Sequence, residues 1–126
     1  MNGTCLCGAI TVSIPPQKDL EVCHCTHCRQ LGGTGTFLTV LPSDLTVSGK
    51  VASYGGKSDA GNEIWWYWCP TCGSKVYQTS SGFKELSVNA GLFPPGTLPQ
   101  PNREIWLRSA EKWNVPFPGA EAHEMG

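Results

Sequence analysis

Seven cysteines fall into three close groups: Cys5 and Cys7; Cys23, Cys25 and Cys28; Cys69 and Cys72. Thiols this close can pair as disulfides or hold a soft metal ion, and the odd count leaves a disulfide framework with one sulfur over. Cys5 and Cys7 would also each need a separate distant partner. Cys69-Pro-Thr-Cys72-Gly73 is a C-x-x-C knuckle, a tight turn that aims two sulfurs at one tetrahedral ion. Gly73 stands where the turn calls for positive φ. In an extended segment residues two apart share a face, so Cys5 and Cys7 can meet the same ion while Leu6 turns away. Cys5, Cys7, Cys69 and Cys72 together make a closed structural zinc set, and the ion would tie an N-terminal strand to a later sheet.

Cys23, Cys25 and Cys28 remain. By the same alternation Cys23 and Cys25 share a face, and a turn starting at Thr26 can bring Cys28 back to them. Three thiolates on zinc leave one position for an exchangeable ligand, which is the pattern of a catalytic site. His24 should project to the opposite face as a satisfied core histidine. His27, at the turn, is the competitor: as a fourth ligand beside the three cysteines it would close the site and make that zinc structural too. Three anionic sulfurs blunt the Lewis acidity of zinc, so hydrolysis is not its natural chemistry there. A soft ion suits a soft ligand, and a thiol bound to it is deprotonated at neutral pH. Such a site is suited to activating a thiol as a nucleophile toward an aldehyde, with amides around Gly32-Gly33 as candidate donors to the developing alkoxide.

The elements that must position these groups read as short strands and turns. Fifteen glycines and ten prolines punctuate runs of β-branched and aromatic residues. Alternation is clearest in Ala9–Ile14, where Ile10, Val12 and Ile14 share a face before Pro15-Pro16. Further strands are expected at Leu20–Cys25, Thr36–Leu41, Glu63–Trp68, Ser74–Gln78, Glu85–Ala90 and Arg103–Leu107. Thr26–Leu31 reads as one helical turn, with Thr26 as N-cap and Gly32-Gly33 ending it. Gly55–Asn62 reads as a mobile loop, and the tail from about residue 115 to 126 as poorly structured. At 126 residues the chain, 1–126, is expected to be one mainly β domain with little helix.

Cys5 arrives too early for a secretory signal, and no segment approaches a membrane span, so a soluble cytoplasmic protein with reduced thiols is expected. The net charge of −1, with scattered Lys and Arg, offers no footprint for nucleic acid.

The pattern C-x-C-G, then C-H-C-x-x-C-R, then aromatic-C-P-x-C-G resembles the glutathione-dependent formaldehyde-activating enzyme (GFA) family, whose fold is Mss4-like. Cys5-Leu6-Cys7-Gly8, Cys23 through Arg29, and Trp68 through Gly73 carry it here, and Ile105-Trp106 and Lys112-Trp113 resemble the family's C-terminal end. All seven cysteines fall on the pattern. The resemblance implies several short twisted antiparallel sheets tied together by the four-cysteine zinc. It also implies a catalytic zinc on Cys23, Cys25 and Cys28, two Zn²⁺ per chain, and glutathione as co-substrate added to formaldehyde to give S-(hydroxymethyl)glutathione, a carbon–sulfur lyase reaction. His27 falls on a variable position of the family motif.

Glutathione carries two carboxylates, so cations should stand near the three-thiolate site. Arg29, directly after Cys28, is the first candidate and Lys75 the second; Arg103 and Arg108 are weaker ones, and balancing thiolate charge would account for any of them equally well. In Glu63–Trp68, Trp65 and Tyr67 share a face with Cys69, and Trp66 and Trp68 take the other. Two further readings stand beside the enzyme: a zinc module that binds a protein, with both metals structural, and tetrahedral iron in place of zinc for redox work.

Overall fold

Ile10, Val12 and Ile14 are each buried to 3% exposure or less, so the alternation read in Ala9–Ile14 does face a core. The computed structural model describes residues 1–126. Its strands are β1 (Asn2–Thr4), β2 (Thr11–Ser13), β3 (Glu21–Cys23), β4 (Gly35–Val40), β5 (Thr46–Ser48), β6 (Ala52–Lys57), β7 (Glu63–Trp68), β8 (Lys75–Ser80), β9 (Leu86–Asn89), β10 (Arg103–Ile105) and β11 (Glu121–Ala122). One α-helix, α1 (Thr26–Gly32), sits between β3 and β4. The fold is mainly β with little helix, as the sequence indicates, and all seven expected strands are present.

The strands form a three-stranded sheet, β1-β2-β5, and an eight-stranded sheet in the order β11-β10-β3-β4-β9-β8-β7-β6. Most pairings are antiparallel, but β10 lies parallel to both β3 and β11. That parallel step places the late strand β10 directly beside the early strand that carries Cys23. The main core is built from Ile10, Val12, Leu38, Val40, Val76 and Val88 with their neighbours, and Cys5 and Cys69 belong to it. A second, smaller core consists of Cys23, Cys28 and Phe37, with Cys25, Ile105 and Trp106 packed against it. No helix is long and apolar enough to cross a membrane.

Two expectations need correction, the loop at Gly55–Asn62 and the N-cap of α1. Gly55–Asn62 is not a single loop: Gly55, Gly56 and Lys57 belong to β6, and only Ser58–Asn62 turns, closed by Ser58 N–H donating to the Asn62 carbonyl at 2.8 Å. The glycines are strand residues because indoles lie over them. A Cβ on Gly55 would meet the Trp65 ring at 2.9 Å, and one on Gly56 the Trp66 ring at 3.2 Å. The tail contains one turn and one two-residue strand. Ala120 N–H donates to Phe117 O at 3.1 Å across Pro118-Gly119, with Gly119 at φ 78°, a type II turn that feeds β11. His123 N–H then donates to Glu104 O, and Leu107 N–H to His123 O. Finally, the N-cap of α1 is Cys25 rather than Thr26. Its Sγ accepts from Cys28 N–H at 3.3 Å, so a sulfur does the work a hydroxyl was expected to do.

Candidate metal and thiol centre

Two turns build the first cluster. After β1 the chain bends at Cys5–Gly8, with Gly8 N–H donating to Cys5 O; after β7 it bends at Cys69–Gly73, with Gly73 N–H donating to Cys69 O at 2.8 Å. Gly8 and Gly73 have φ of 81° and 77°, the left-handed region expected for Gly73 from sequence. The sulfurs of Cys5, Cys7, Cys69 and Cys72 lie within 4.8 Å of one another, with Cys5–Cys7 at 3.6 Å and Cys7–Cys69 at 3.7 Å. A tetrahedron of sulfurs about 2.3 Å from a central zinc has edges of about 3.8 Å, so the spacing suits that ion. It brings the three-stranded sheet, through Cys5 and Cys7, against the β7–β8 connection.

Hydrogen bonds already serve this sulfur set. Ile10 N–H donates to Cys5 Sγ at 3.2 Å. Ser74 Oγ accepts from Leu6 N–H at 3.1 Å and lies 3.2 Å from Cys72 Sγ, linking the two turns. The Ser74 hydroxyl and amide hold the Cys72 thiol down to about 5. Ser74 was legible only as a strand residue, because its role depends on the approach of Leu6, 68 positions away.

The second cluster forms where β3 ends and α1 begins. Cys23, Cys25 and Cys28 bring their sulfurs within 4.8 Å of one another, and no histidine or carboxylate joins them. Cys23 and Cys28 are buried and Cys25 is half-buried. Their thiols are strongly unequal. Cys25 is drawn down to about 2 by hydrogen bonds from the Cys23 and Cys28 thiols and from the amides of Cys28 and His27. Cys23 is pushed far up by the Cys25 and Cys28 sulfurs and by burial. Cys28, although its bond with Cys23 draws it down, ends up at about 12 because of Cys25 and burial. The metal-free cluster therefore holds one thiolate solvated by two thiols, and a divalent cation is the natural replacement for those two protons.

Both neighbouring histidines are engaged elsewhere. His24 is 6% exposed and donates from Nε2 to Glu104 Oε1 at 2.9 Å, matching the expected core histidine on the opposite face. His27 lies against Trp66, ring centroids 5.5 Å apart, with Nδ1 4.0 Å from Asp59 Oδ1. Glu104 is fully buried and had no signal in the sequence beyond being a charge inside a short strand.

The two cations expected near the site part company. Arg29 donates to Ser109 O at 2.7 Å and to Glu111 Oε1 at 2.6 Å, which ties α1 to the C-terminal segment and turns its guanidinium from the sulfurs. Lys75 stays beside the cluster. Its Nζ is 5.8 Å from the Phe37 ring centroid and would lie 3.5 Å from a Cβ on Gly32; its charge also favours the Cys28 thiolate. Lys75 belongs to none of the ion pairs of the chain, whereas Arg103 is paired with Glu21.

A groove of about 380 Å³ lies on the three-stranded sheet among Asn2, Thr4, Thr11, Ser13 and Thr46, and no cysteine lines it. The crevice flanked by Phe37, Trp66, Lys75, Gln78 and Asn89 offers only about 10 Å³.

The glutathione-dependent formaldehyde-activating enzyme family model matches residues 1–109. No curated protein matches the chain. Among solved structures, the crystal structure of a Rhodobacter sphaeroides protein is similar, with 27% identity and a TM-score of 0.63 over 79% of this chain and 92% of that one. The match takes in all seven cysteines and both sulfur clusters, and on that ground the chain belongs to the glutathione-dependent formaldehyde-activating enzyme family.

Proposed function

We propose that this chain is a cytoplasmic zinc-dependent carbon–sulfur lyase of the S-(hydroxymethyl)glutathione synthase type, which adds the thiol of glutathione to formaldehyde. Cys5, Cys7, Cys69 and Cys72 would hold one zinc as part of the fold, and Cys23, Cys25 and Cys28 would hold a second. The observation that carries the reading is the inequality of the clusters: four sulfurs in one, three in the other with both nearby histidines committed to other partners. Zinc held by three thiolates would supply a soft positive charge that keeps an incoming thiol ionised at neutral pH.

The residues of the chain do the rest. Lys75, with no carboxylate partner of its own, takes a glutathione carboxylate; Arg29 already has one in Glu111 and is given no such role. The aromatic faces of Phe37 and Trp66 flank the same surface and limit water around the sulfur. In the addition the thiol loses its proton, the sulfur lone pair forms the bond to the carbonyl carbon, and the C=O π pair moves to oxygen. That oxygen then takes up a proton, so the overall step is a neutral addition.

Zinc analysis joined to exchange spectroscopy of ¹³C-formaldehyde with glutathione tests this. The expected result is two zinc ions per chain and faster formation of the adduct than in buffer, with Cys25→Ser losing the acceleration and one zinc while keeping the fold. Unchanged adduct kinetics in the presence of the two-zinc protein would refute the enzyme. If His27→Ala instead removes a zinc, both metals are structural and the chain is a binding module.

A further inference from the structure

Glu104 is 0% exposed and sits on β10, between β11 and β3 in the eight-stranded sheet. Burying a carboxylate is costly, and an apolar side chain of similar size would avoid that cost. Both oxygens are used: Oε1 accepts from His24 Nε2 at 2.9 Å, and Oε2 accepts from Phe117 N–H at 2.6 Å. The register explains the meeting. Glu104 is paired with Val22 and Ile105 with Cys23, so in this parallel pairing Glu104 shares a face with Val22 and His24, while Ile105 and Cys23 take the other.

His24 is the single residue between two of the three sulfur-bearing positions. Its backbone N–H donates to Ile105 O at 3.0 Å, and its ring is held by Glu104. Immediately afterwards the chain leaves the strand at Cys25, with φ −60° and ψ 160°, and enters α1. Fixing the ring and the amide of His24 removes the freedom of the link that sets Cys25 relative to Cys23. The second oxygen draws in the C-terminal segment, which Arg29 also grips through Ser109 and Glu111.

We propose that Glu104 is a positioning residue for the Cys23, Cys25 and Cys28 site: by gripping the His24 ring on the opposite face of β3, it fixes the backbone that aims Cys23 and Cys25 at a common point. It touches no sulfur and acts only through His24 and the strand. The proposal rests on the reading of that cluster as a zinc site, and it assigns the C-terminal segment a part in building it.

Glu104→Gln keeps the shape and one acceptor but loses the charge, and it is compared with Leu38→Val, a core change that does not touch His24. Zinc stoichiometry, chelator competition for each zinc, and the charge-transfer bands of Co²⁺ loaded at the three-cysteine cluster are measured on the full chain. The expected result for Glu104→Gln is a 10- to 100-fold loss of affinity at that cluster, roughly the range for outer partners of a metal site, with weakened Co²⁺ bands. The Cys5, Cys7, Cys69 and Cys72 site should keep its affinity within about twofold, and Leu38→Val should leave both sites unchanged. A folded Glu104→Gln protein with wild-type affinity at both sites would overturn the proposal alone. So would parallel losses at both sites, or the same losses in Leu38→Val, since Glu104 would then be only a structural residue. A wild-type chain that binds a single zinc would overturn the two-zinc reading and this inference with it.

Discussion

Gly35→Ala separates the packing of the three-cysteine cluster from its chemistry. Gly35 pairs with Cys23 across β3 and β4 and has an ordinary strand backbone, so any penalty is steric. A Cβ there would lie 2.7 Å from Phe37 Cζ and 2.8 Å from Cys28 Sγ. Carbon contacts settle at about 3.5–4.0 Å, so roughly 1 Å of overlap must be relieved on each side. Phe37 and Cys28 are 4% and 3% exposed, which leaves neither much room to give. Overpacking of this kind costs about 1–3 kcal/mol of stability. A sulfur displaced by even half of that overlap falls outside the roughly ±0.2 Å tolerance of a metal–ligand bond. The expected outcome is at least an approximately tenfold loss of affinity at the cluster, about 1.4 kcal/mol, with the four-sulfur site unaffected. Dialysis against graded chelator followed by metal analysis reads the affinity, and urea unfolding reads the stability. Adding Phe37→Ala should recover neither the metal, because the clash with Cys28 remains, nor the stability, because emptying a buried ring site costs about 3–5 kcal/mol, more than the relieved overlap. Wild-type affinity in Gly35→Ala would refute the claim that Gly35 is needed to seat Cys28.

Other outcomes follow from the same geometry. With Cys25 held down to about 2, Cys28 up at about 12 and Cys23 pushed up further, zinc entering this cluster near neutral pH must displace about two protons. Affinity there should rise with pH at about two log units per pH unit; calorimetry in buffers of different ionisation enthalpy counts the protons, and release of none or of three would contradict the assignment. Lys75→Gln should raise KM for glutathione about tenfold while leaving KM for an uncharged thiol such as 2-mercaptoethanol unchanged, and equal effects on both thiols would remove Lys75 from carboxylate binding. Gly73→Ala places a side chain at φ 77° but meets nothing within 4 Å, so it should cost only about 1 kcal/mol by thermal unfolding and keep both zinc ions. Loss of the four-sulfur zinc in Gly73→Ala would show that the turn, and not only its strain, depends on glycine.

What could be read in advance was local. Cysteine spacing revealed both clusters because i, i+2 and C-x-x-C geometry is set within a few residues, and the alternation of Ile10, Val12 and Ile14 revealed a buried face for the same reason. His24 followed from period two alone. The parallel pairing of β10 with β3 was out of reach, since it joins residues about 80 positions apart and its strands are three residues long. Glu104 and Ser74 became visible only once that pairing and the meeting of the two turns were known. Arg29 is read from its adjacency to Cys28 alone, and its contacts with Ser109 and Glu111, 80 or more positions away, have no signal in the sequence. The tail did carry a signal in Pro118-Gly119, a type II turn pair set in a stretch too polar to suggest a strand.

Two histidines lie within reach in sequence of three sulfurs, and three cysteines with one histidine make an ordinary structural zinc site, so a three-sulfur cluster has to be kept that way by its surroundings. The structure contains two separate restraints. His24 is held on the far face of β3 by a buried carboxylate, and ligation would mean abandoning Glu104 with an unpaired oxygen. His27 lies on Trp66, which in turn stacks on Tyr54 at 6.0 Å, and its Nδ1 faces Asp59 in the β6–β7 turn. Each contact with His27 is modest, and a metal–nitrogen bond could outweigh it. The geometry of α1 is the firmer obstacle, because Cys25 caps the helix and accepts from Cys28 N–H while His27 is directed from the first turn toward β7. Turning His27 inward would require unwinding the turn that brings Cys28 to the cluster, so the fourth protein ligand could be gained only by disturbing the third.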